Sequence, residues 1–128
     1  MIVDSSAIVA IILREPGWEI LVAKLGAETT CAVGAPTLVE AGLVLTAKMG
    51  KGAPGVLSRL LQEASLAIIP FTEDHWRMAV EAYARFGKGR HAAALNFGDC
   101  LSYAVARMAE RPLLFVGGDF AKTDLPAA

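Results

Sequence analysis

The opening residues constrain the fold more than any other stretch of the chain. Met1-Ile2-Val3 is a short apolar run ending at Asp4, and Ser6 to Leu13 follows with helical length before Arg14-Glu15-Pro16-Gly17 stops it. A strand that runs directly into a helix opens a βα unit, and strands connected through helices pair in parallel. The alternation continues to the end of the chain. Trp18, Leu21, Val22 and Leu25 recur at helical spacing, with Gly26 as the expected stop, and Thr29 to Val33 follows as a strand. Pro36 suits the first turn of a helix closing at Lys48-Met49-Gly50, and Pro54 opens another that reaches about Ala64. Leu66 to Ile69 is a strand, Thr72 caps a helix reaching Phe86, and Gly87 to Ala94 is a loop. Asn96 caps a helix through Met108 or Ala109, and Leu113 to Val116 is the last strand, ahead of Gly117-Gly118-Asp119. The expected fold class is α/β, a mostly parallel central sheet flanked by helices on both faces.

Composition agrees with one compact unit. The 128 residues match the usual size of a single domain, and 55% hydrophobic content excludes intrinsic disorder. The apolar run Ala7 to Leu13 is far shorter than the roughly 20 residues of a spanning helix. With Asp4 and no basic leader at the start, a cytoplasmic protein without membrane association is expected. Cys31 and Cys100 lack metal-ligand spacing and are expected as buried free thiols. Twelve Lys and Arg against thirteen Asp and Glu give a net charge of −1, so no global field draws in nucleic acid.

Chemistry is expected where the strands end, because ligands of open α/β sheets bind beyond the carboxyl ends of the strands. Asp4 follows the first strand and Asp119 the last. Any one such aspartate can serve only a turn or a cap. Glu40 is harder to explain that way, since its helical neighbours Pro36, Thr37, Leu43 and Val44 offer no positive charge. Exposure on a solvated helix face is its ordinary alternative. Asp99, in the first turn of the helix capped by Asn96, complements the helix dipole but likewise has no basic residue within a turn. Four such acids brought to one sheet edge need positive charge among them, and a hard divalent cation, Mg²⁺ or Mn²⁺, is the natural partner for oxygen ligands. A cation of that kind serves phosphodiester hydrolysis. No phosphate-binding G-x-x-x-x-G-K or nucleophile G-x-S-x-G competes with it. His75 is expected to face solvent or bond locally, and His91 to be an exposed loop histidine.

Asp4-Ser5-Ser6-Ala7, Glu40 in its apolar helix, Asn96-Phe97-Gly98-Asp99-Cys100 and Gly117-Gly118-Asp119-Phe120 with Thr123-Asp124 together resemble the PIN-domain ribonucleases, specifically the VapC-type toxins of toxin–antitoxin pairs. The likeness spans the chain and implies a single PIN-like domain over residues 1–128. It implies an endoribonuclease in which Asp4, Glu40, Asp99 and Asp119 hold Mg²⁺ or Mn²⁺, with the Ser6 hydroxyl supporting the site and cleavage leaving a 5′-phosphate and a 3′-hydroxyl. Ser6 could equally cap the first helix. Asp124 is a peripheral member or ends a turn. The resemblance also implies an RNA substrate, a cognate VapB-type antitoxin that covers the pocket with an arginine among the carboxylates, a homodimer, and a toxin–antitoxin hetero-oligomer. Val116, Gly118 and Ala92 depart from the family pattern, where lysine, a second acid or asparagine, and proline are frequent; substrate contacts and loop geometry bear that difference more than the metal site does.

Lys48, Lys51 and Arg59 form one basic group, and Arg85, Lys88, Arg90 and His91 another. Either is an ordinary solvated face or a rim that holds the RNA backbone. Trp76 and Tyr83 are expected in the core rather than as stacking platforms. Two other classes remain in play. A phospho-receiver domain has the same layering but needs an acidic pair after the first strand and a mid-chain phosphoacceptor, and no aspartate lies between Asp4 and Asp74. A non-catalytic PIN-like binding module would keep the fold without the reaction. Without the four proposed ligands the charge balance becomes +3, twelve cations against nine acids.

Overall fold

The computed structural model describes all residues, 1–128. Four strands, β1 (Ile2–Val3), β2 (Cys31–Gly34), β3 (Leu66–Ile69) and β4 (Leu113–Leu114), form one sheet in the order β3-β2-β1-β4. Every pairing is parallel, with Ile2 opposite both Ala32 and Leu113, and Cys31 to Gly34 opposite Leu66 to Ile69. Six helices connect them: α1 (Ser5–Ile12), α2 (Trp18–Ala27), α3 (Ala35–Met49), α4 (Ala53–Glu63), α5 (Glu73–Phe86) and α6 (Phe97–Ala109). The expected α/β class and parallel sheet are what the chain adopts.

Period-two alternation divides the core between the two faces of the sheet. Val3 and Val33 point to one side, with Ile8, Leu21, Leu25 and Leu45 from α1, α2 and α3. Ile2 and Ala32 point to the other, against Phe86, Tyr103, Val105 and Leu113. Each central strand is therefore apolar on both sides, which is why the strands read as continuous apolar runs. Gly34 closes β2 because its backbone lies against α6: a Cβ there would come within 2.9 Å of Val105 Cγ2.

Helix ends depart from the sequence expectations in instructive ways. Asp4, not Ser6, caps α1; its carboxylate accepts from the Ser6 N–H at 3.1 Å. α2 runs through Gly26 to Ala27, because glycine weakens a helix without forbidding it. β2 begins at Cys31 rather than Thr29, and β4 stops at Leu114. His75 does not face solvent. It is buried at the start of α5, where its Nδ1 accepts from the Thr72 N–H at 3.0 Å, and its ring stacks on Phe71. Its local hydrogen-bonding role was the correct half of the expectation. Trp76 and Tyr83 are the reverse case: they stay 50% and 44% exposed because α5 turns its outer face away from the sheet. Both cysteines are buried free thiols, as expected. No helix is long and apolar enough to cross a membrane.

The C-terminal segment is fastened to α6 by Tyr103. Its hydroxyl donates to Asp124 Oδ1 at 2.7 Å, and Arg85 Nη2 lies 3.5 Å from the other carboxylate oxygen. Burial and this carboxylate push the Tyr103 phenol up to about 12. Asp124 thus anchors the C-terminal segment. Tyr103→Phe should cost about 1 kcal/mol, since it removes one hydrogen bond to a partly exposed partner and keeps the ring. Chemical denaturation should record this as a lower midpoint with an unchanged slope.

Candidate metal centre

Three chain segments deliver carboxylates to one place above the carboxyl ends of the strands. β1 runs out at Asp4, α3 carries Glu40 on its second turn, and α6 begins beside β1 with Asp99 in its first turn. All three line a single pocket of about 340 Å³, together with Ser5, Ser6 and Asn96. Val9, Val44 and Val116 supply its apolar walls.

Each carboxylate is held by hydroxyl or amide donors and none by a cation. Asp4, only 3% exposed, accepts from Ser6 Oγ at 2.6 Å through Oδ2 and from Ser102 Oγ at 2.5 Å through Oδ1. Ser6 Oγ in turn accepts the Val116 N–H at 3.0 Å, so the segment beyond β4 is tied to the first helix at the site. Glu40 Oε1 accepts from Ser5 Oγ at 2.5 Å. Asp99 and Asn96 form a reciprocal capping box: Asn96 N–H donates to Asp99 Oδ2 at 3.0 Å, and Asp99 N–H to Asn96 Oδ1 at 2.9 Å. The four ion pairs in the structure join Arg59 to Glu63, Arg77 to Glu73, Arg85 to Asp124 and Arg111 to Glu28, and leave these acids unneutralised.

The electrostatic consequence falls on Asp99. Burial raises its carboxyl to about 6, against the Asn96 hydrogen bond, with further upward pressure from Asp4, Asp119 and Glu40. Gly98 lets this crowding occur. A Cβ at that position would overlap Glu40 Oε2 and approach Oε1 to 2.7 Å, so the bare backbone of α6 is what admits the Glu40 side chain.

Asp119 is placed differently from the other acids. It is exposed at the start of a single 3-10 turn (Phe120–Lys122) and does not line the pocket, although its charge still reaches Asp99. Glu15 lines the pocket instead, from the turn that ends α1. Sequence reasoning passed over Glu15, Ser5 and Ser102. Ser5 stood in the quoted Asp-Ser-Ser-Ala string, and Ser102 lies one turn beyond Asp99, the spacing that shares a helix face.

The donor set suits a hard cation: carboxylate, hydroxyl and amide oxygens, with no histidine or cysteine among the lining residues. No three of the acids stand close enough together to hold one ion by themselves. Mg²⁺ characteristically keeps several waters and takes only one or two protein carboxylates, so an open acidic pocket fits it. No basic residue lines the pocket.

Beside this pocket lies a second surface feature. Val39 and Leu43 of α3, Trp76 and Val80 of α5, and Phe97 and Leu101 of α6 line an apolar groove of about 750 Å³, with Phe97 80% exposed. Glu40 and Val44 border both depressions.

A family profile described as PIN domain matches residues 1–125 of the chain. A VapC ribonuclease of Mycobacterium bovis is 45% identical over 126 residues, spanning 98% of this chain and 91% of the relative. Among solved structures, a Mycobacterium tuberculosis VapC described as a sarcin–ricin loop cleaving toxin superposes with a TM-score of 0.81 at 18% identity, covering 99% of this chain and 97% of the other. A VapBC complex of Rickettsia felis, bound to a DNA fragment from its promoter, matches with a TM-score of 0.77 at 16% identity, covering 99% and 96%.

Proposed function

The chain belongs to the PIN-domain family and, within it, to the VapC ribonucleases, and from that premise we infer that it is a toxin endoribonuclease that hydrolyses RNA with Mg²⁺ or Mn²⁺ in its acidic pocket. One observation carries the metal part: carboxylates from three separate segments share a pocket that contains no cation of the protein's own. Several unpaired carboxylates persist together only with positive charge supplied from outside.

Asp4, Glu40 and Asp99 would hold the ion between them, directly or through its waters, and Asp119 is the fourth proposed ligand. Bound there, a divalent cation neutralises charge on the scissile phosphate and makes water a better nucleophile. The protein's part is to hold the donors. Ser6 and Ser102 fix the two oxygens of Asp4, Ser5 fixes Glu40, and the Asn96 box fixes Asp99. In the hydrolysis, water oxygen bonds to phosphorus as the bond to the 3′ oxygen breaks. The 3′ oxygen takes a proton, and the ends left are a 5′-phosphate and a 3′-hydroxyl.

The surroundings support the partner assignments. We take residues 1–128 as one PIN-like domain acting in the cytoplasm. With the pocket acids set aside, the remaining charge is +3, which suits a rim that meets RNA phosphates while the pocket itself stays acidic. The walls between α1 and α3, with Val9 and Val44, suit an antitoxin segment that places an arginine among the carboxylates. The apolar groove on the other flank of α3 suits a second copy of the chain, giving a homodimer within a toxin–antitoxin hetero-oligomer.

Antitoxin-free protein should cut single-stranded RNA in Mn²⁺, lose that activity in EDTA and regain it when Mn²⁺ is restored. The new 5′ ends should be ligatable without kinase treatment, as 5′-phosphates are. Cleavage that survives EDTA would overturn the metal assignment, and absence of cleavage with Mn²⁺ across transfer, ribosomal and messenger RNA would overturn the nuclease assignment.

A further inference from the structure

Two buried hydroxyls outside the carboxylate set converge on Asp4. Thr37 and Ser102 are each 1% exposed, and their oxygens lie 3.3 Å apart, with Ser102 Oγ 2.5 Å from Asp4 Oδ1. Hydrogen bonding at this distance from water has to be complete within the protein. An ionised carboxylate only accepts, so the single Ser102 proton goes to Asp4, and Ser102 can receive only the Thr37 proton. The chain of donors therefore has one direction, Thr37 to Ser102 to Asp4.

Its placement links the whole site. Thr37 precedes Glu40 by one turn on α3, and Ser102 follows Asp99 by one turn on α6. A helical threonine ordinarily turns its hydroxyl to a carbonyl of the preceding turn. Here it reaches across to another helix instead. The helices that bring Glu40 and Asp99 are thus joined by side-chain hydrogen bonds to the residue that ends β1.

We propose that Thr37 and Ser102 are positioning residues for the metal centre, a buried hydroxyl relay that fixes the Asp4 carboxylate relative to Glu40 and Asp99 so that the pocket binds a divalent cation. The relay rests on the metal reading given above. It adds two residues that touch neither ion nor substrate and act through Asp4. Groups that orient a ligand in this way typically contribute 10–100-fold to affinity, that is, about that range.

Calorimetric titration of the full chain with Mn²⁺ alone tests it, with the melting temperature in EDTA measured alongside. Ser102→Ala should weaken Mn²⁺ binding about 10–100-fold. Thr37→Val keeps the side-chain volume, removes only the donor, and should weaken binding by about 3–10-fold. Thr37→Ser, which restores the donor, should bind as the wild type does. The double variant Thr37→Val, Ser102→Ala should bind no more weakly than Ser102→Ala alone, because both changes cut one chain. A merely structural role would lower melting temperatures and leave the Mn²⁺ affinity of the folded protein unmoved. Wild-type affinity in both Ser102→Ala and Thr37→Val overturns the relay and leaves the metal reading standing. Failure of the wild-type chain itself to bind Mn²⁺ overturns both.

Discussion

Asp99→Asn is expected to lower metal-dependent RNA cleavage by at least about 10²-fold, since even the partners of a metal ligand are commonly worth 10–100-fold, and to stabilise the metal-free protein at the same time. The two effects have one origin. Burial and the charges of Asp4, Asp119 and Glu40 raise the Asp99 carboxyl from 3.8 to about 6. Between roughly pH 4 and 6 the folded chain therefore holds a proton that the unfolded chain has released. Stability of the metal-free protein falls as pH rises through that window, and the full penalty is present above it. Asparagine carries no charge, yet its Oδ1 can still accept the Asn96 N–H, so the capping box survives. Loss of a favourable acid near the helix N-terminus offsets part of the gain, about 0.3–1 kcal/mol. A net gain on the order of 1 kcal/mol remains, or roughly 3–5 °C in melting temperature in EDTA at pH 7. At pH 4 the gain should vanish. Added Mn²⁺ should reverse the order by raising the melting temperature of the wild type alone. A variant that cuts RNA as fast as the wild type, or that melts lower in EDTA at pH 7, would contradict the crowding of charge at Asp99.

Gly98→Ala is expected to separate folding from activity in the opposite manner to an ordinary core change. Alanine favours a helix over glycine by about 1 kcal/mol, and the atoms nearest a new Cβ all belong to the Glu40 carboxyl group. That group ends a flexible side chain and can swing away without disturbing the backbone. The fold should hold or gain slightly, while Glu40 leaves its hydrogen bond with Ser5 and its place in the pocket. Cleavage should fall by at least about 10-fold, and Mn²⁺ affinity with it. Unchanged cleavage in a folded variant would mean that the Glu40 carboxylate is not needed where the structure puts it.

Element type and order were legible in the sequence because the determinants are local. The apolar run before Asp4, the prolines of α3 and α4, and the caps at Thr72 and Asn96 act within a few residues, and the strands and helices stand where those signals put them. Boundaries set by tertiary contact were not legible. β4 stops at Leu114 because pairing with β1 ends there, and α2 passes through Gly26 although glycine commonly ends helices. The site divides the same way. Asp4, Glu40 and Asp99 were identifiable as acids without local partners, and the structure places them in one pocket with Ser6. Ser5 and Ser102 carry no mark in one dimension, since their roles depend on carboxylates 35 and 98 positions away. Trp76 and Tyr83 mislead for a related reason: an aromatic residue at helical spacing fits a core or an exposed face, and only the packing of α5 decides.

The position of β1 has a consequence for the synthesis of the protein. The first strand made lies inside the sheet, between β2 and β4, and its partner β4 is more than a hundred residues away. At the site, Asp4 waits for Ser102, and Ser6 for the Val116 N–H. At roughly 5–20 residues per second of translation, several seconds separate the emergence of the first carboxylate from that of the groups that position it. A nascent chain therefore carries the acids of a nuclease without the nuclease.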